Sequence, residues 1–551
     1  MRKSGRMLWV LLFVLASFAA GGAQTLDSHQ AEKPLAESWP TFNGDDSGRR
    51  FSSLTQINRE TVKELKPAWA WQLHAGDGPN VQTGGEGPVP ADGGKSDSSA
   101  RIVKASPLMV DGVLYLATPD NVWAVDAQNG HELWHFFWHT RGGVHVGNRG
   151  VGMYRGWLFV ETPDGYLVSL DAKTGKERWH KEIVDYKQEY YLSAAPVVIG
   201  NHVLVGASGD MLDLAGFLES RDPETGELQW RWYSEPVKKG DPGYDTWPDE
   251  GAMRHGGGMT WMPGTYDPEL KLYYVGTGNP NPVMAGVSRP GADLFTCSIV
   301  ALNIETGKMA WYFQTSPHDT HDWDAAQTPV LVNDVIDGKP RRLIAQANRN
   351  GYFFLLDRVT GKNIVSKSYL ETMNWSKGVD ANGVPVYDPE KEPSVAGTLV
   401  SPPANGATNW FAPSFSPETG LLYVNSFESW SVFYLTDTDP HPAGFAAVQR
   451  RVGGAKGALH ALDYRTGKVV WKHEYPGGGD TAGVLSSAGK VVFSGDDAKH
   501  LIAFDAGDGA ILWHADLEAS MSNAPETYML DGRQYLIAGA HDTIYAYALA
   551  R

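Results

Sequence analysis

The chain is nearly devoid of cysteine. Cys297 is the only one among 551 residues, so no intramolecular disulfide can form and no C-x-x-C-H haem site or thiolate metal cluster exists. A redox centre, if there is one, is not made of cysteine. Long hydrophobic runs are also missing. The longest, MLWVLLFVLASFAA at 7–20, covers 14 residues, short of the ~20 that a membrane-spanning helix needs. It follows Arg2, Lys3 and Arg6 and precedes GGAQ, the order expected of a secretory signal cleaved after Ala23. The expectation is a signal at 1–23 and a soluble mature chain from 24 to 551 in a periplasm-like or extracellular space, with an uncleaved anchor as the alternative. Positive charge is in deficit, 47 Lys and Arg against 64 Asp and Glu, for a net charge of -17. That balance argues against nucleic acid or an anionic membrane surface as partner and favours solubility. With 42% apolar and 11% aromatic residues, the chain has ample material for a core, which excludes global disorder.

What the chain has in abundance is one recurring phrase: a β-type run, Asp or Asn, two residues, a small polar residue, Gly, and a Trp soon after. It occurs as AVDAQNGHELW (Asp126, Gly130, Trp134), SLDAKTGKERW (Asp171, Gly175, Trp179) and SRDPETGELQW (Asp222, Gly226, Trp230). It returns as ALNIETGKMAW (Asn303, Gly307, Trp311), LLDRVTGKNIV without the Trp (Asp357, Gly361), ALDYRTGKVVW (Asp463, Gly467, Trp471) and AFDAGDGAILW (Asp505, Gly509, Trp513). An Asp side chain accepts backbone hydrogen bonds that start a turn, Gly supplies positive φ, and Trp wedges against a neighbouring sheet. Successive glycines lie 45, 51, 81, 54, 106 and 42 residues apart. A period of 40–50 is the size of a four-stranded propeller blade. The interval of 106 reads as two units, with SFSPETGLLYVNSF as a degenerate copy, and the interval of 81 as one unit with a long insertion. The expected fold is therefore all-β: an eight-bladed β-propeller of four-stranded antiparallel blades. PAWAWQL near the N-terminus and TIYAYAL near the C-terminus read as strands of one closing blade. The stretches 74–100, 237–257, 373–408 and 437–454 read as loops around one mouth of the ring, and no second domain is expected.

Three features exceed what a scaffold needs. SPHDTHDWDAAQTP at 316–329 carries Asp319, Asp322 and Asp324, with His318 and His321. Asp322 and Asp324, two apart on an extended strand, would face one hard cation together. The two histidines suggest zinc only weakly, since no third ligand accompanies them. YYVGTGNPNP places Asn279 after an apolar strand, as a turn residue or a ligand. GGGMTWMPG places Trp261 after three glycines, where the backbone can crowd a flat cofactor or simply pack a blade. Arg149 and Arg349 would pair with carboxylates or with a reactive carbonyl oxygen.

Together these phrases resemble the quinoprotein alcohol dehydrogenases, eight-bladed propellers that use pyrroloquinoline quinone (PQQ). The resemblance runs from WPTFNGDDSGRRFSSLTQINRETVKELKPAWAW (39–71) through GTGNPNP, PHDTHDWD and NRNG to the C-terminus. It implies an enzyme that oxidises an alcohol or a sugar to the carbonyl. Asp322 would be the catalytic base and Arg349 the residue that polarises the quinone oxygens. Trp261 would be the floor under the ring, and Arg149, Thr162, Ser193 and Asn409 polar contacts to the cofactor. Asn279, Asp322 and Asp324 would be metal ligands, Asp324 suiting a lanthanide as well as calcium. The chain also departs from the family. Gly143 and Val144 stand where many members have a vicinal Cys-Cys, and His145 falls where the glucose-oxidising branch has a histidine over the ring. Lys104 and Met211 replace two glutamates, with Asp210 or, preferably, Asp213 standing in as metal ligand. Without a haem motif, a separate cytochrome c or quinone would accept the electrons. The rival reading is a non-catalytic propeller of the outer-membrane assembly type.

Overall fold

The computed structural model describes residues 26, 30–33, 35–73, 102–144, 146–209, 214–336, 338–479 and 482–550. The expected signal at 1–23 and the loop at 74–100 lie outside them.

Among the described residues, eight antiparallel sheets each carry four consecutively paired strands, and two of them take an added strand. The first runs Leu108–Val110, Val113–Thr118, Asn121–Asp126, Glu132–Phe137. Inner strands are buried on both faces because another sheet packs on each side, so they read as unbroken apolar runs such as VLYLAT. Outer strands such as Glu177–Glu182 are half exposed and charged.

The repeated phrase is the hairpin between the third and fourth strands. Asp171 Oδ1 accepts from the Thr174 amide and hydroxyl (2.9 and 2.7 Å), and Gly175 turns the chain at φ 68°. Where the next sheet carries the phrase, the tryptophan that follows the turn docks on that sheet's turn. Trp134 donates its indole N–H to Ala172 O at 3.0 Å, and its ring lies 2.5 Å from where a Cβ on Gly175 would stand. Trp69, Trp230, Trp311 and Trp471 bond in the same way to Ala127, Ile304, Arg358 and Ala506, each over the glycine of the neighbouring turn. Glycine is thus required twice over, for its φ and for the space the indole fills. After the copy that lacks Trp, Phe353 and the Lys367 stem cover Gly467 instead.

The chain ends share a sheet, as expected: Lys66–Gln72 pairs antiparallel with Thr543–Ala548. The reading of the 106-residue interval needs correction. SFSPETGLLYVNSF is not a separate unit; Ser414–Ser416 and the start of Leu421–Leu435 are the first two strands of the sheet whose later turn is Asp463–Gly467. The extra length goes into a small hairpin, Ser376–Val379 with Pro385–Tyr387, and into the overlong pair Leu421–Leu435 and Ala447–Asp463. Residues 447–454, expected as loop, are therefore strand. The eighth sheet is the one the two termini build, and it lacks the phrase.

The phrase WPTFNGDDSGRRFSS has a structural role of its own. Carbonyls of Asp46, Ser47, Arg49 and Arg50 accept in turn from the amides of Tyr266, Leu331, Phe415 and Ser486. Those four amides sit on or beside the first strands of four successive sheets, so this segment ties their inner edges together.

Candidate active site

The segment 316–329 is a loop between strands Met309–Gln314 and Val330–Ile336, not the extended strand expected. Asp319 shapes it. One of its carboxylate oxygens accepts from the amides of His321, Asp322 and Trp323 at 3.3, 2.9 and 3.0 Å, and Arg289 bonds its carbonyl at 2.6 Å. Burial pushes the Asp319 carboxyl up to about 6. Asp322 consequently sits at φ 70°, a left-handed conformation that Asp tolerates better than most residues. The two carboxylates still converge, because one guanidinium reaches both. Arg349 Nη2 donates to Asp322 Oδ2 at 2.8 Å, and its Nη1 lies 3.4 Å from Asp324 Oδ2. Gln327 Oε1 accepts from the Arg349 amide and the Ala404 carbonyl from its Nε, which fixes the fork.

Asp324 is the hub. It is wholly buried; its Oδ2 accepts from the Trp261 indole at 2.7 Å and its Oδ1 from the Asn279 amide at 2.9 Å. Burial raises its pKa against the pull of Arg349 and Trp261. Asn279 is also fully buried. Its Nδ2 bonds Pro280 O at 3.0 Å, while its Oδ1 has no hydrogen-bond partner. The Arg149 guanidinium carbon lies 4.5 Å from the centre of the Trp261 ring and 5.6 Å from that of Trp410, and its Nη1 donates to Ser193 Oγ at 2.9 Å. Trp261, Asn279, Asp322, Asp324 and Arg349 thus form one contact network, with Arg149 and Ser193 joined to it through Trp261.

Other expected residues are placed less directly. The Thr162 hydroxyl serves a turn, donating to Asp164 and accepting from the Tyr166 amide. Asn409 is partly exposed and bonds Asn405 O and the Trp410 amide. Lys104 Nζ donates to Val146 O at 2.5 Å. His145, Asp210, Met211 and Asp213 lie outside the described residues. His318 and His321 do not form a zinc pair. Each ring bonds a backbone carbonyl, of Gly291 and Lys391, and His321 stacks on Trp323, with burial lowering its pKa to about 4. The glycines before Trp261 do not open space for a ligand: a Cβ on Gly257 would stand 2.4 Å from Asn279 O, so glycine lets two backbone segments meet. Gly143 is similarly committed, since a Cβ there would fall 1.9 Å from Pro163 O.

Three residues of the site escaped the sequence reading. Glu161 ends the apolar strand Trp157–Glu161; it is buried, and its Oε2 accepts from the Ala194 amide beside Ser193, while its Oε1 has no partner. Burial raises its pKa well above the usual range. A charged residue closing an apolar run was the available signal. Trp410 and Gln327 carried none, because their contacts come from distant strands.

The family described as glucose/ethanol/alcohol dehydrogenase, β-propeller domain, with PQQ, matches residues 39–369, and that of the outer-membrane assembly factor BamB matches 455–550. A quinohemoprotein alcohol dehydrogenase of Comamonas testosteroni is 34% identical over 97% of this chain and 78% of its own. Its crystal structure superposes with a TM-score of 0.85 at 31% identity, covering 97% of this chain and 84% of that one. The quinoprotein alcohol dehydrogenase PedH of Pseudomonas putida is 32% identical over 97% of this chain and 92% of its own. A europium-containing methanol dehydrogenase superposes with a TM-score of 0.81 at 26% identity, over 94% of this chain and 99% of that one. The chain belongs to the PQQ-dependent alcohol dehydrogenase family of β-propellers.

Proposed function

We propose that this chain is a periplasmic quinoprotein dehydrogenase that oxidises an alcohol to its carbonyl and passes the electrons to a separate acceptor, a cytochrome c or a quinone. The observation that carries the reading is the single network joining Asp322, Asp324 and Arg349 to Trp261 and Asn279. A scaffold has no use for a wholly buried amide oxygen without a partner beside two carboxylates, and a hard cation does. The shorter match to the assembly factor falls on the last sheets of the chain, which contain none of these residues.

The residues fit the two groups the family uses. Two guanidiniums and the faces of Trp261 and Trp410 suit a flat polycarboxylate such as PQQ. Arg149, Ser193, Thr162, Trp261 and Asn409 would hold it, together with His145. Asn279 Oδ1 and the carboxylates of Asp322 and Asp324 would hold calcium or a lanthanide, with Asp213 as a further ligand. When bound, PQQ would supply a two-electron acceptor for the hydrogen that the alcohol carbon gives up, with its bonding pair, on becoming a carbonyl carbon. Asp322 takes the hydroxyl proton. Arg349 orients that carboxylate and holds positive charge where oxygen charge develops. Asp324 fixes the indole of Trp261, and the Asp319 loop sets the angle at which Asp322 meets the substrate. Residues 1–23 act as the export signal. No helix among the described residues is long and apolar enough to cross a membrane.

The test is to add PQQ with calcium, and separately with a lanthanide, to the purified protein. Quinone absorption and dye-linked oxidation of an alcohol panel, with sugars included, are then followed. Cofactor uptake and turnover of alcohols are expected. Absence of uptake with every metal would overturn the reading in favour of the scaffold.

A further inference from the structure

At six of the seven turns of the repeated phrase an indole lies against the turn glycine, and at Gly467 none does. Val365 stands in LLDRVTGKNIV where the other copies carry Trp, and Phe353 and the Lys367 stem cover Gly467 instead. Against that turn, between the outer strands Asn363–Ser368 and Lys468–Glu474, lies a cavity of about 500 Å³, within the size range of small-molecule sites. One buried polar group in its wall is left unused by the fold. His460 is 6% exposed, and its Nδ1 has no hydrogen-bond partner among the described residues, where buried polar atoms are normally bonded. Burial lowers the His460 pKa to about 4, so at neutral pH the ring is uncharged and has one N–H to donate. The carboxylates of the wall are engaged: Glu371 pairs with Lys456 and Lys472, Glu474 with Lys472, and Glu428 accepts from the amides of Glu371 and Thr372. Lys367 and Lys468, one on each outer strand, enter no ion pair among the described residues.

We propose that this cleft is a binding site for a planar aromatic carboxylate, separate from the site of alcohol oxidation. At the six other turns the space between neighbouring sheets takes a flat ring from the chain itself, and here the ring comes from the ligand. Its carboxylate meets the ammonium groups of Lys367 and Lys468 and the N–H of His460, which a neutral ring compound cannot satisfy together. The bound acid bridges two sheets at the junction that no tryptophan bridges. The cleft shares no residue with the network of Asp322, Asp324, Arg349, Trp261 and Asn279, so the inference does not rest on the dehydrogenase reading.

Calorimetric titration of the purified protein with indole-3-propionate, its amide and hexanoate tests it, with and without PQQ and metal. The aromatic acid is expected to bind at a single site, and the amide and hexanoate about tenfold more weakly or not at all, since each lacks the charge or the ring. Saturating acid should raise the melting temperature, because only the folded chain binds it. The double variant Lys367→Met/Lys468→Met replaces two exposed side chains and should melt as the native protein does while binding the acid about tenfold more weakly. His460→Phe should weaken it by a similar factor. Loading with PQQ and metal should leave the affinity unchanged. Equal affinities for acid and amide would overturn the proposal, as would an affinity unaltered in the double lysine variant. Displacement of the acid by PQQ would also overturn it, by placing the acid in the cofactor's site. Should His460→Phe fail to fold, the double lysine variant decides alone.

Discussion

Asp322 is held by two things that the residue itself does not supply: a left-handed backbone fixed through Asp319, and a 2.8 Å bond to Arg349. Its replacement by Asn keeps size and most hydrogen bonds but removes the proton acceptor. Turnover of Asp322→Asn is expected to fall by about a hundredfold to ten-thousandfold in dye-linked assays, with quinone absorption on PQQ addition retained. Loss of uptake together with turnover would point to a binding role instead. Asn279→Ala addresses the cation. It deletes the buried Oδ1 while leaving the backbone amide that serves Asp324. A loss of about tenfold or more in calcium or terbium affinity is expected, read by calorimetry or lanthanide luminescence.

At the scale of elements, the hairpin and its docked indole form the unit that repeats. Gly307 and Gly532 have nearly the same backbone, φ 67° and 73°, but a Cβ on Gly307 would fall 2.5 Å from the Trp230 ring, whereas one on Gly532 would meet nothing within 4 Å. Gly532→Ala should therefore cost about 1 kcal/mol, the penalty of the left-handed conformation alone. Gly307→Ala should cost about 2–4 kcal/mol, because the indole must also move and its bond to Ile304 O is strained. Denaturation midpoints of the two variants, compared in one experiment, separate the contributions. Equal losses would show that the docked tryptophan yields freely.

For the whole molecule, the N-terminal segment matters more than its short strand Phe51–Ser52 suggests. Arg50 is completely buried, lies 4.6 Å from the Trp39 ring and 3.6 Å from Glu526, and bonds the carbonyls of Phe42 and Pro525. It thereby joins that segment to the sheet that closes the chain. Burial pushes the Glu526 carboxyl up to about 8, with Arg50 and the Ser106 hydroxyl pulling the other way, and burial also lowers Arg50 to about 10. An acid raised on folding keeps its proton while the unfolded chain loses its own. Glu526 therefore contributes fully below about pH 4.5, and that contribution declines as pH rises towards 8, by up to about 1.4 kcal/mol per pH unit. Glu526→Gln cannot titrate, so its stability should vary less steeply over that window than that of the native protein, as followed by melting temperature. Parallel pH profiles would show that the carboxyl is ionised throughout.

The period of the Asp-Gly-Trp phrase was enough to establish the sheet-forming unit and the sharing of one sheet by the two ends, because turn chemistry and strand alternation are local and recur at each copy. Asp322, Asp324, Trp261, Asn279 and Arg349 stood out in their phrases, but each also had a structural reading, and their joint roles were what the family resemblance implied. The 106-residue interval was misread because a hairpin extended beyond its sheet looks, in sequence, like one more hairpin. Only the tertiary structure decided how Asp322 and Asp324 come to face one guanidinium, since that depends on amides folding around Asp319 rather than on strand pleat. It also decided that Glu161, Trp410 and Gln327 stand beside the site. Their positions follow from the packing of sheets distant in the chain, and such contacts leave no spacing that a linear pattern records.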